Sequence, residues 1–124
     1  MASMQINLDK LKKIMQVTLS GGFNSSGETK KVLDEYNHLI SQISPKEYSL
    51  LIDCSETGVY EQSALAPLEQ LYKLYMKTGF RHVVFVEAKN AIQNMQLKKV
   101  AKNVPGFSGV FVATLNDAIN ECKK

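Results

Sequence analysis

LLIDCSETGVYEQSALAPL, residues 50–68, is the stretch on which the reading of this chain turns. It begins as a nearly continuous apolar run ending at Asp53, passes through Cys54, Ser55, Thr57 and Gly58, and takes up helical spacing at Leu65 and Leu68. A strand that is apolar on both sides is one covered on both faces of a sheet, the condition of a central parallel strand. Pro67 has no N–H to donate and is tolerated near the first turn of a helix, which places the helix start no earlier than about Ser63. The stretch therefore reads as strand, loop and helix, the junction at which open α/β sheets meet ligands and partners.

Upstream, Met4, Ile6 and Leu8 alternate with polar residues, as do Met15, Val17 and Leu19 after the polar DKLKK, which predicts an antiparallel hairpin. Ser25 with Glu28 forms a capping box, and Val32, Leu33, Tyr36, Leu39, Ile40 and Ile43 recur on one helical face ending before Pro45. Downstream, Leu65, Leu68, Leu71, Tyr72, Tyr75 and Met76 form a second helical stripe closed by Gly79, and HVVFV at 82–86 is another buried strand. A third helix is predicted over roughly 90–104 and a short strand over 110–112. A last helix starts at Thr114, with Asp117 completing a capping pair and Leu115, Ala118, Ile119 and Cys122 facing inward. The order is β-β-α-β-α-β-α-β-α, an α/β sandwich on a mixed, largely parallel sheet.

A chain of 124 residues, 44% hydrophobic, is long enough for one domain (1–124) to bury its own core without disulfides or metal. Cys54 and Cys122 lie far apart with no second Cys or His at ligand spacing, so both read as packed, reduced thiols, and no metal or cofactor is expected. MASMQINLDK lacks a basic segment followed by an apolar core, and no apolar run approaches the roughly 20 residues that span a bilayer. A cytoplasmic location follows as the expectation. The net charge of +3 is concentrated late: residues 88–124 hold six lysines against Asp117 and Glu121.

The order of elements is similar to that of the STAS domain (sulfate transporter and anti-sigma antagonist), the SpoIIAA-like fold of the sporulation anti-anti-sigma factors. Members often show a strand ending in Asp, a loop of about this length, and an Asp-Ser-Ser-Gly-Leu turn opening a helix. Laid on this sequence without gaps, Asp53 takes the strand-end Asp, and Glu61, Gln62, Ser63, Ala64 and Leu65 take the turn. Ser63 then falls on the family's phosphorylated serine. Glu61, Gln62 and Ala64 depart from the signature around that serine, so the chain resembles the divergent STAS-like and Sec14-like small bacterial proteins more than a true anti-anti-sigma factor.

Ser63 has two readings. As an N-cap its hydroxyl accepts from a backbone N–H, contributing about 1 kcal/mol; as a phosphosite, the same donors and the positive helix end hold a phosphate. The cap requires no function and is the default. Asp53, Cys54, Ser55, Thr57 and Glu61 make a candidate ligand or partner loop, although short side chains in such loops as readily bind their own backbone. A phosphatase-like role for Cys54 needs an Arg a few residues downstream, and CSETGVYE has none. His38 and His82 have no spaced partner for metal or base chemistry.

On a helical wheel of the third helix, Leu97, Val100, Ala101 and Val104 face inward, while Met95 falls among Lys98, Lys99 and Lys102 with Ile92 at the margin. That face suits an acidic protein partner or an anionic membrane surface. The bland reading is a solvated lysine face with an incidental Met. Three lysines with no interleaved aromatic residue exclude nucleic acid, and no glycine-rich phosphate loop is present. The expected function is a non-enzymatic, protein-binding regulatory module that meets its partner through the start and exposed face of the second helix and the neighbouring third helix; the alternative is a lipid or membrane-surface module of the Sec14-like type using the basic third-helix face. An enzyme at residues 53–63 lacks a nucleophile and base pair.

Overall fold

The computed structural model describes residues 3–21, 26–57 and 62–124. Strands β1 (Ser3–Asp9) and β2 (Ile14–Gly21) form the expected antiparallel hairpin, pairing Ile6 with Val17 and Leu8 with Met15. Then come α1 (Ser26–Ile40), a 3-10 turn at Pro45–Glu47, β3 (Ser49–Thr57), α2 (Gln62–Thr78) and β4 (His82–Val86). The chain finishes with α3 (Ala91–Lys102), β5 (Val110–Val112) and α4 (Leu115–Cys122). The predicted order is therefore the observed one. The Ser25 and Glu28 capping pair lies outside the described residues and side chains.

The sheet runs in simple sequence order, β1-β2-β3-β4-β5, with β2 through β5 parallel. That order dictates where the helices go. A right-handed crossover between successive parallel neighbours always leaves on the same side, so α1, α2 and α3 stack on one face. Tyr36 of α1, Tyr72 and Tyr75 of α2, and Leu97 and Val100 of α3 share a core there with Met15, Leu50, Ile52 and Phe85. Only α4, which follows the last strand, is left for the other face, where Ala118 and Cys122 cover Ile14, Leu51, Val84 and Val86. The two-sided burial read from the apolar strands holds, with three helices on one side and one short helix on the other. The β1–β2 half of that second face stays open, leaving a recess of about 520 Å³ that Asn7, Gln16, Ile14 and Ile119 help to line.

The helix ends carry recognisable devices. Gly79 closes α2 at φ +87°, a left-handed conformation that side chains strain to adopt. Thr114 caps α4 by accepting from the Asp117 N–H at 3.1 Å, as its spacing predicts. At the other end of α4 the Cys122 carbonyl accepts from Ser49 Oγ at 3.1 Å and from the Arg81 guanidinium at 2.8 Å. These bonds pin the helix to the amino ends of β3 and β4. On the three-helix face Tyr36 and Thr78 hydroxyls meet at 2.8 Å, joining α1 to α2.

Three expectations are corrected. Leu115 is 38% exposed rather than inward, because on so short a helix Ala118 and Cys122 take the sheet-facing positions and Ile119 is half-buried at the rim. The strand β3 continues to Thr57, so Asp53, Cys54 and Ser55 belong to the sheet and not to a loop. Helix α2 begins at Gln62 and carries Pro67 in its second turn, where the ring has no N–H for the Ser63 carbonyl.

Candidate partner-binding site

The carboxyl ends of β3 and β4 open onto the starts of α2 and α3. Pairing between β2 and β3 slips there: Thr18 faces Asp53, but Ser20 faces Glu56, so β3 carries one extra residue. Such a bulge breaks the alternation of side chains and re-aims those that follow. Within it, Asp53 Oδ1 accepts from both the Ser55 N–H at 3.0 Å and the Ser55 hydroxyl at 2.7 Å. The Asp53 carboxylate thus stabilises its own backbone, the local use that its spacing to Ser55 allows. Cys54 points the other way and is fully buried in the three-helix core. Burial, with the Asp53 charge adding to it, raises the thiol well above its ordinary pKa. Cys54 is accordingly a core residue and no part of a ligand loop.

Beyond the bulge, Glu56 pairs with Lys89 at 2.7 Å, a bond between exposed groups that raises the Lys89 pKa. It links the end of β3 to the approach to α3. Asn90 caps α3 by accepting from the Ile92 N–H at 2.8 Å. Asn94 then accepts from the Ala88 N–H at 3.2 Å and donates to Glu87 at 2.6 Å, while Lys98 reaches the same carboxylate at 3.5 Å. The Lys98 ammonium also stands 5.8 Å from the centre of the Phe111 ring. The start of α3 is therefore held to β4 by a chain of polar contacts.

This anchoring fixes what α3 shows to solvent. Leu97, Val100, Ala101 and Val104 are all buried as the wheel predicts. Met95 is 72% exposed and Ile92 65% exposed. With Gln96, Lys98, Lys99 and Lys102 they outline an open concavity of about 530 Å³. Lys98 and Lys102 also border a second groove of about 430 Å³ floored by Val104, Phe107 and Phe111. The predicted face is assembled, but Lys98 is partly neutralised by Glu87, so Lys99 and Lys102 are its uncompensated charges among the described residues.

The other predicted positions fall at the junction. Ser63 is the second residue of α2, inside its first turn rather than at the preceding cap position. Thr57 ends β3, and Glu61 lies outside the described residues. Sequence reasoning missed the Glu56–Lys89 and Glu87–Asn94–Lys98 contacts. Asn90 before an amphipathic run was a readable cap, but the long-range pairs leave no local signal. It also missed Gln93, which takes a buried place on the inward stripe beside Leu97 and Val100.

Among the described residues no group of His, Cys, Asp and Glu side chains could hold a metal, and no helix is long and apolar enough to cross a membrane. No family model and no curated protein matches the chain. Solved structures do. An uncharacterised protein of the DUF3478 family with a SpoIIAA-like fold, from Shewanella loihica PV-4, superposes with a TM-score of 0.68 at 16% identity, covering 98% of this chain and 93% of that one. An anti-sigma factor antagonist from Mycobacterium paratuberculosis superposes with a TM-score of 0.60 at 21% identity, covering 100% and 96%. The five-stranded, mostly parallel sheet with its four helices is the SpoIIAA-like fold, the fold of the STAS-like domain that the sequence resembles.

Proposed function

We propose that the chain is a single STAS-like domain, residues 1–124, that works in the cytoplasm as a non-enzymatic regulatory module by binding another protein. The observation that carries this reading is the outer face of α3, where Met95 and Ile92 stand exposed beside Lys99 and Lys102 on a helix braced by Asn90, Asn94 and Glu87. A rigid helix with an apolar centre and a basic rim presents the arrangement that protein interfaces use, and its charge suits an acidic partner. The likeness of fold to an anti-sigma factor antagonist supports a role of this class. Ser63, in the first turn of α2, is the candidate for control by phosphorylation. Backbone donors at a helix start hold a phosphate, which would change the surface by nearly two charges.

The test is a quantitative pull-down from cytosol with the wild-type chain and a Lys98→Glu/Lys99→Glu/Lys102→Glu variant, with phosphopeptide mass spectrometry on the recovered bait. One protein enriched by the wild type and lost by the variant is the expected result. Equal recovery by both baits removes α3 from the interface. A phosphate found on Ser63 that alters recovery makes that serine a switch; its absence leaves the residue a structural part of the helix start.

A further inference from the structure

The amino ends of the parallel strands form the opposite end of the molecule from the junction just described, and this end is strongly cationic. The β1–β2 turn, the 3-10 turn before β3, the last turn of α2 and the end of α4 all come to it, since α4 is fastened there by Ser49 and Arg81. Its acidic side chains are already engaged. Asp9 accepts from the Leu11 and Lys12 N–H groups at 3.1 and 3.0 Å, Glu47 pairs with Lys13 at 3.9 Å, and Glu121 pairs with Lys124 at 2.8 Å. Lys10, Lys12, Lys46, Lys77 and Lys123 remain, all exposed and with no carboxylate partner among the described residues.

At the apex of this end stands Leu11, 97% exposed. Its exposure is built in. The two bonds to Asp9 and the left-handed Lys13 at φ 56° hold the four-residue turn so that the leucine projects between Lys10 and Lys12. A protein interface centres on a contiguous apolar patch, whereas here Leu11 alone stands clear at the tip, at the rim of the recess it lines with Leu8, Ile14 and Ile119, in a broad field of charge contributed by four separate elements. A bilayer surface makes the opposite demand: it sums charge over an area and accepts one protruding apolar group into its interfacial layer.

We propose that this end docks on an anionic lipid bilayer, Leu11 entering the interfacial layer while Lys10, Lys12, Lys46, Lys77 and Lys123 face the headgroups. The surface shares no residue with the α3 face. Docked so, the chain turns the carboxyl ends of its strands and the start of α3 away from the membrane, where a protein partner reaches them.

The experiment is co-sedimentation of the full chain with vesicles of phosphatidylcholine and phosphatidylglycerol at about 3:1 and with vesicles of phosphatidylcholine alone. Binding is expected to the first and not the second, falling as salt rises from about 0.05 to 0.3 M. Each lysine near such a surface is worth about fivefold in partitioning, so Lys10→Glu/Lys12→Glu lowers it at least about 25-fold. Leu11→Ser lowers it about fivefold to tenfold and leaves the salt dependence unchanged. Lys98→Glu/Lys99→Glu on α3 is expected to lower it less than Lys10→Glu/Lys12→Glu does, since neither lysine belongs to the β1–β2 turn that carries Leu11. All the substituted residues are exposed, and circular dichroism checks that each variant is folded. No binding to anionic vesicles, or equal binding by wild type and both tip variants, overturns the proposal. So does binding lost in the α3 variant and kept in the tip variants.

Discussion

Gln93 shows at the scale of a residue how the inward face of α3 was settled by position and not by polarity. It is buried, and its Oε1 has no hydrogen-bond partner among the described residues. A buried amide oxygen without a partner costs about 1–3 kcal/mol of desolvation, so Gln93→Leu, which keeps the volume and removes the polar atom, is expected to leave stability unchanged or raise it by about 1 kcal/mol in urea denaturation. Cys122 makes a second prediction. Burial outweighs the opposing Ser49 and Arg81 contacts and lifts its thiol from 9.0 to about 11. The folded state then keeps a proton that the unfolded chain has lost, so stability present below pH 9.0 declines as pH rises toward about 11. Cys122→Ala should flatten part of that decline, measured as the denaturation midpoint across the range. Buried Cys54 and Tyr36, both raised by burial, keep the rest of the slope in place. The burial of Cys54 and Cys122 was legible in the apolar patterns around them. The partners of Asp53 and Asn94 at this scale were half legible: the Asp53–Ser55 turn is local, whereas the Asn94–Glu87 contact depends on how α3 sits against β4.

Among the elements, those with strong local punctuation came out where the sequence puts them. Thr114 with Asp117 and Gly79 after α2 each use a mechanism confined to a few residues, so they need no knowledge of the fold; Asn90 before α3 is a cap of the same local kind that the sequence reading passed over. Thr114→Ala is expected to destabilise the protein by about 1 kcal/mol, read by thermal denaturation, because α4 is short and has few other bonds at its start. Glu121→Ala at the opposite end removes only an exposed pair and should change stability by less than about 0.5 kcal/mol. What the elements did not disclose is their continuation into the site. The extra residue of β3 between Asp53 and Glu56 exists only against β2, and no alternation within β3 announces it. The inward placement of Leu115 failed for a related reason: an amphipathic stripe defines a face, but the width of that face depends on how much sheet lies beneath it.

The whole molecule divides into two ends of different character, with Asp53, Glu56 and Glu87 near the carboxyl ends of the strands and an excess of lysines at the amino ends. Because Lys98, Lys99 and Lys102 are exposed and the Lys98–Glu87 pair is partly solvated, the triple Glu variant is expected to fold with stability within about 1 kcal/mol of wild type, measured by urea denaturation. Loss of partner binding in that variant would then report on the surface and not on unfolding. By itself the sequence determined the order and kind of the elements, the buried strands, most of the core and the composition of the outer face of α3, since these follow from periods of two and 3.6 residues and from caps that act locally. Only the tertiary structure decided that three helices share one face and α4 takes the other, that Asp53 turns back on Ser55 within a bulge against β2, that Glu87 claims Lys98, and that lysines from four distant segments come to the same end of the molecule as Leu11. Each of these rests on contacts between residues far apart in the chain, set by strand order and crossover handedness, which no local pattern encodes.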